Sequence, residues 1–181
     1  MKKQQINLVW IKRDIRSQDH LPFDMAEKSE YPYLSIFVFE PSIMAYPDTS
    51  VRHLQFQYHS LLQLNQKFEQ SNKAVHIFHT DIIHVLAIIQ QQYEIVNLYS
   101  YQESGIQLTY ERDKLVQKYC NANTNAMTVT TIKNTLRFPP KNAALKNNTN
   151  TLTKTAAIPM VSANNKLASM ANNNKHQLLL P

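Results

Sequence analysis

Residues 6–20 read INLVWIKRDIRSQDH, and this stretch decides the fold. Residues 6–11 are mostly apolar, rich in β-branched and aromatic side chains, and run straight into Lys12, Arg13, Asp14, Arg16 and Asp19. A short apolar run of this kind fits a strand buried on both faces, as in a parallel sheet. Open α/β sheets bind ligands outside the carboxyl ends of their strands, which is where the polar cluster falls. Two readings stay open for it. It is either a preorganised rim at a ligand edge or a loop in which Arg13, Asp14, Arg16 and Asp19 pair with one another.

The pattern repeats along the chain. HLPFDMAEKS at 20–29 reads as a loop and short helix, and YLSIFVF at 33–39 as a second two-faced strand closed by Glu40-Pro41. A long connection leads to a helix over about 51–70, with N-cap candidates at 48–50 and Val51, Leu54, Tyr58, Leu61, Leu62 and Phe68 at helical spacing. AVHIF at 74–78 is a third strand. Asp81 caps a helix to about Tyr93, with Ile82, Val85, Leu86 and Ile89 inward. IVNLY at 95–99 is a fourth strand. A helix then starts at Thr109 and runs to about Cys120, with Leu115, Val116 and Tyr119 facing inward. Strands alternating with helices make the fold class α/β, a Rossmann-like parallel sheet flanked by helices. MTVTTI at 127–132 is the only material for a fifth strand.

The formal charge of +6 is unevenly spread. Residues 1–120 hold 12 Lys and Arg against 13 Asp and Glu, whereas residues 121–181 hold 7 Lys and Arg and no acid. The globular part therefore offers no basic face for nucleic acid. Non-specific DNA binding, if any, falls to the basic segment. Residues 1–132 form the expected domain, and 133–181 an irregular, disordered basic tail with little to build a core. A shift of reading frame near Asn121 is a second account of the break in composition. The single cysteine, Cys120, excludes an intrachain disulfide and fits a reducing compartment. The apolar run after MKKQQ is too short for a signal peptide, and no stretch spans a bilayer. The expectation is a soluble, cytoplasmic protein with no membrane partner.

The chain has one glycine, Gly105, so neither a Walker A loop nor a G-x-G-x-x-G fingerprint can be written. The seven histidines, including His76 with His79 and His53 with His59, match no metal-site spacing, so no metal is expected. Trp10 reads as core. Glu40 ends the second strand and Arg52 opens the next helix. Together they are either an ordinary salt bridge or a flat multi-donor edge for a heteroaromatic carbonyl or phosphate. Tyr101, Gln102 and Glu103 leave the fourth strand, and Glu111 sits where a helix dipole favours an acid.

Three blocks carry a family resemblance. LVWIKRDIRSQDH at 8–20, FVFEPSIMAYPDTSVRHLQF at 37–56 and YSYQESGIQLTYERD at 99–113 resemble, in order and spacing, the opening domain of the photolyase/cryptochrome family. The likeness covers roughly residues 6–120. It implies a strand order of 3-2-1-4-5 and an antenna chromophore of folate, deazaflavin or flavin type, in the crevice near Glu40 and Arg52. It also brings Tyr101, Gln102, Glu103 and Glu111 into the candidate cofactor-binding set. In that family a helical domain binds FAD, docks DNA and drives blue-light repair of cyclobutane pyrimidine dimers. Residues 121–181 contain no counterpart of it, so this chain alone is expected not to catalyse repair. The rivals are a stand-alone nucleotide- or chromophore-binding module and a truncated product without activity. The incompletely covered sheet edge and docking face lead us to expect self-association.

Overall fold

A computed structural model describes residues 3–103, 105–122 and 128–132. Strand β1 (Gln4–Ile11) is followed by helix α1 (Leu21–Lys28), strand β2 (Tyr33–Phe39), the single turn α2 (Pro41–Met44) and helix α3 (Val51–Glu69). Then come β3 (Val75–His79), α4 (Ile82–Gln92), β4 (Tyr93–Tyr101), α5 (Gln107–Ala122) and β5 (Thr128–Ile132). All neighbouring strands are parallel, in the order β3-β2-β1-β4-β5. The Rossmann-like reading and the strand order hold, and residues 128–132 do supply a fifth strand. The expected tail at 133–181 lies outside the described residues.

Residues 6–11 are buried throughout, which is why β1 takes the centre of the sheet. Successive side chains on a strand point to opposite faces. Ile6, Leu8 and Trp10 accordingly pack with Ile82, Val85, Leu86 and Ile89 of α4 and with Val116 and Cys120 of α5. Val9 and Ile11 join Phe23 and Ala26 of α1 and Leu61 and Leu64 of α3 on the other face. Asn7 is the polar exception, wholly buried, with its Oδ1 accepting from Nδ2 of Asn97 at 2.8 Å.

Helix entries follow local chemistry with two corrections. His20 caps α1, its Nδ1 accepting from the Phe23 N–H, and Ser50 caps α3 by accepting from the His53 N–H. Asp81 occupies the cap position of α4, but its side chain makes no capping bond. Helix α5 starts at Gln107, two residues before the expected Thr109, which instead donates through Oγ1 to the Ile106 carbonyl at 2.9 Å.

Two helix faces also differ from the apolar periodicity. Of the positions expected inward on α3, Val51, Tyr58 and Leu62 are exposed. Only Leu61, Leu64 and Phe68, in its second half, join the core. On α5, Leu115 is 58% exposed, and the buried line runs instead through Thr109, Val116 and Cys120. No helix among the described residues is long and apolar enough to cross a membrane.

Candidate functional site

The carboxyl ends of β1, β2 and β4 meet the first half of α5 in one charge network. Glu40 follows β2 directly and is buried. Its Oε1 accepts from Nη1 of Arg112 at 3.0 Å. Nη2 of the same guanidinium donates to Oε2 of Glu103 at 2.7 Å and to Oδ1 of Asp113 at 2.8 Å. Arg13 closes the circuit with Nε 2.7 Å from Oε1 of Glu103. Lys12 donates from Nζ to Oδ2 of Asp113 at 2.7 Å and to the Tyr101 carbonyl at 3.0 Å. Three cations thus meet three carboxylates. The indole of Trp10 carries two of the cations, Lys12 Nζ at 4.2 Å and Arg112 Cζ at 4.7 Å from the ring centroid. Each cation is drawn to the electron-rich ring face.

Burial and pairing pull in opposite directions here. Desolvation pushes the Glu40 carboxyl above its ordinary range, and the charge and hydrogen bond of Arg112 recover only part of that. Burial also works against the Arg112 cation, but Glu40, Asp113 and Glu103 together outweigh it and raise its pKa. The asymmetry is one of stoichiometry, a single guanidinium serving three acids. Lys12 is lowered, chiefly by desolvation, with Asp113 opposing.

Among the described residues Arg13, Asp14, Arg16 and Asp19 form no ion pair with one another, contrary to the ion-pair reading. Arg13 reaches Glu103, Arg16 donates to the Tyr101 hydroxyl at 3.2 Å, and Asp14 accepts from the Lys12 N–H at 2.9 Å and from His20. Because Nδ1 of His20 accepts from Phe23, its Nε2 is the donor to Asp14. Burial alone would raise Asp14, but the His20 and Lys12 bonds hold it below its ordinary value. Asp19 takes a left-handed conformation, φ 51°, which turns the chain into α1. The two arginines find partners on β4 and at its exit, while Asp14 is held inside the loop by Lys12 and His20.

Beside the network lies a cleft, open to solvent, that encloses about 50 Å³. Phe37, Phe39, Ile43, Met44 and Leu54 give it apolar walls, with Trp10, Gln57, Glu40, Glu103 and Arg112 along the lining. Of the sequence candidates, Glu40 and Glu103 line the cleft. Arg52 is exposed in the first turn of α3, and Glu40 bonds Arg112 in its place. The residues that α3 contributes to the lining are Leu54 and Gln57. Tyr101 is buried, and its hydroxyl accepts from Arg16 and from the Leu21 N–H at 3.0 Å. Gln102 is exposed, as is Glu111, which accepts from Gln107 Nε2 at 2.8 Å. Arg112, the hub, was missed. The signal was its spacing from Thr109 and Val116, which puts it toward the sheet.

The family model described as DNA photolyase matches residues 7–158, running past the change in composition near Asn121. No curated protein matches the chain. Among solved structures it is similar to an archaeal photolyase from Sulfolobus tokodaii with two FAD molecules, for which a novel light-harvesting cofactor is implied. That likeness has a TM-score of 0.60 at 18% identity, over 70% of this chain and 29% of that one. A class III photolyase from Agrobacterium tumefaciens gives 0.60 at 15% identity, over 74% and 26%. A cryptochrome from Synechocystis sp. PCC6803 gives 0.62 at 18% identity, over 72% and 28%. The chain thus spans under a third of each of these structures.

Proposed function

The chain belongs to the DNA photolyase family, and on that premise we propose that its α/β domain holds a light-absorbing antenna chromophore in the cleft beside Glu40. The chromophore is of folate, deazaflavin or flavin type. The observation that carries this reading is the cleft itself. Apolar walls from β2, α2 and α3 face a buried charge network at the carboxyl edge of the sheet, where β1 separates β2 from β4. The apolar walls hold a flat ring by contact, while Gln57, Glu40 and Glu103 offer polar atoms to its edge. The bound group supplies absorption of near-ultraviolet or blue light. FAD-dependent repair of cyclobutane pyrimidine dimers in DNA belongs, in this reading, to the longer architecture of which the chain spans less than a third.

The test is retention of a chromophore. The 181-residue chain is incubated in turn with a reduced folate, a deazaflavin, FMN and FAD, freed of excess ligand, and read by absorbance from the near ultraviolet to the blue. One class should be retained near one per chain. Leu54→Trp, which fills the cleft, should abolish retention without lowering the thermal midpoint by more than a few degrees. A bare protein spectrum after every incubation overturns the proposal.

A further inference from the structure

The β3 edge of the sheet is finished at one end by a side chain. Nδ2 of Asn65 on α3 donates to the Val75 carbonyl at 3.1 Å, and its Oδ1 accepts from the Val75 N–H at 2.7 Å. The amide stands where a further strand would stand. Both bonds leave Val75 on the side away from β2, and alternate residues of a strand turn their backbone groups the same way. Ile77 and His79 accordingly aim theirs outward, and no hydrogen bond among the described residues meets them outside the β2 ladder. The usual protections of a free edge are missing here, since β3 reads VHIFH, with no proline, lysine or acid. Along the same side of α3 run Val51, Gln55, Tyr58, Leu62 and Asn65, at the four-three spacing of a helix-packing seam. Val51, Gln55, Tyr58 and Leu62 are exposed, and none is charged.

We propose that this side of the molecule is the interface of a two-fold dimer, occupied by a second copy of the chain. Asn65 sets the register. Because its amide holds the Val75 groups, antiparallel pairing is left to Ile77 and His79, with Ile77 of each copy opposite His79 of the other. That arrangement makes two reciprocal pairs of backbone hydrogen bonds, puts Phe78 on the axis and leaves Asn65 undisturbed. The axis stands perpendicular to the joined sheet, so both α3 helices lie on one face and run antiparallel. Helix α3 covers β2 and β3, its Leu61 and Leu64 sharing a cluster with Phe37 and Val75. Its image therefore falls about two strand spacings away, about 10 Å, which is the separation of packed helices. From Val75 to Phe78 the strand rises about 10 Å, or about seven residues of helix. Counted back from Asn65, that reaches Tyr58, the middle of the seam. One operation thus satisfies the free edge and buries the apolar strip, with Tyr58 meeting Tyr58 and Leu62 meeting Gln55. An unrelated extended segment would satisfy the edge alone and leave the seam in water, which is why the occupant is a second copy.

The experiment is sedimentation equilibrium of the 181-residue chain from about 5 to about 500 μM. A patch of this size makes a small interface, so a monomer–dimer equilibrium with a Kd of about 10–100 μM is expected. Tyr58→Lys and Tyr58→Glu each set like charges against one another at the axis and should each weaken association at least about tenfold. Mixed one to one, they should associate at least about tenfold more tightly than either alone, which only a residue meeting its own copy can do. His79→Pro removes an outward N–H that the β2 ladder does not use, and it should also weaken the dimer at least about tenfold. Circular dichroism checks the fold of each variant, and if His79→Pro loses it, the exposed Tyr58 pair decides. A monomer across the whole range overturns the proposal. So does a dimer that the Tyr58 variants leave unchanged, whether it forms through the basic segment or another face, and so does a mixture no tighter than its components.

Discussion

Replacing Arg112 by Met removes a cation from the centre of three carboxylates and leaves them unequally provided for. Glu103 keeps Arg13, and Asp113 keeps Lys12, at 2.7 Å each. Glu40, with a side chain only 5% exposed, keeps no cation from the network. Stranding one member of a buried pair costs about 3–5 kcal/mol, a large share of the 5–15 kcal/mol typical of a domain. The expected loss for Arg112→Met is therefore about 3–4 kcal/mol near neutral pH, read by urea unfolding followed with far-ultraviolet circular dichroism. Its pH dependence has a definite sign. The Glu40 carboxyl already lies above its ordinary value through burial, and without Arg112 it rises further. The folded variant then binds more protons than the unfolded chain, so lowering the pH restores stability. The gap to the unaltered protein should narrow between about pH 8 and about pH 5. Arg112→Met with Glu40→Leu, which removes both charges, should recover to within about 1–2 kcal/mol. A single variant within about 1 kcal/mol of the parent at pH 8, or a gap that widens on acidification, refutes the reasoning.

Adjacent residues test the reassigned face of α3. Leu61→Ala should cost about 2–5 kcal/mol and Leu62→Ala less than about 0.5 kcal/mol, both by urea unfolding, and equal losses would contradict the placement. The basic segment makes a separate claim about DNA. Any binding by the chain should be sequence-independent, fall steeply with salt and vanish when residues 133–181 are deleted, as read by fluorescence anisotropy; binding that survives the deletion would place the site on the α/β domain.

The sheet was legible because burial on both faces leaves a strong mark. Runs such as residues 6–11 and 33–39 have few polar positions to confuse the reading. Helix faces were less so. On α3 the apolar spacing points inward along the whole helix, but only its second half packs on the sheet, through Leu61, Phe68 and Leu64, the last not among the expected positions, while Leu54 in the first half borders the cleft. On α5 Val116 is buried and Tyr119 packs against the core as expected, but the buried line also takes in Thr109 and Cys120, and hydrophobicity alone pointed wrongly to Leu115. The same error hid the hub. Glu111 entered the candidate set through the family resemblance, yet it is exposed, as the helix-dipole explanation allows, and the inward positions are Arg112 and Asp113. Glu40 and Glu103 were found because strand ends are fixed by the strands themselves. Their partner was not, since an ion pair across 72 residues of chain leaves no local trace.

That separation sets an order of events at the ribosome. Synthesis delivers β1, α1, β2 and β3 first, and they are neighbours at one side of the sheet. Glu40 emerges with them, while the guanidinium that neutralises it is still untranslated. The carboxylate must then stay in water, which holds the exit of β2 open. Lys12 waits longer still, because its acid lies 101 residues further on. A domain generally folds as a unit, so the half that emerges first cannot complete the sheet by itself. The β1 edge that β4 will take therefore stays unpaired until the second half arrives, and the cleft gains its last wall only when α5 docks. The nascent chain carries an open seam through its centre for most of its synthesis, and Arg112 is the stitch that closes it.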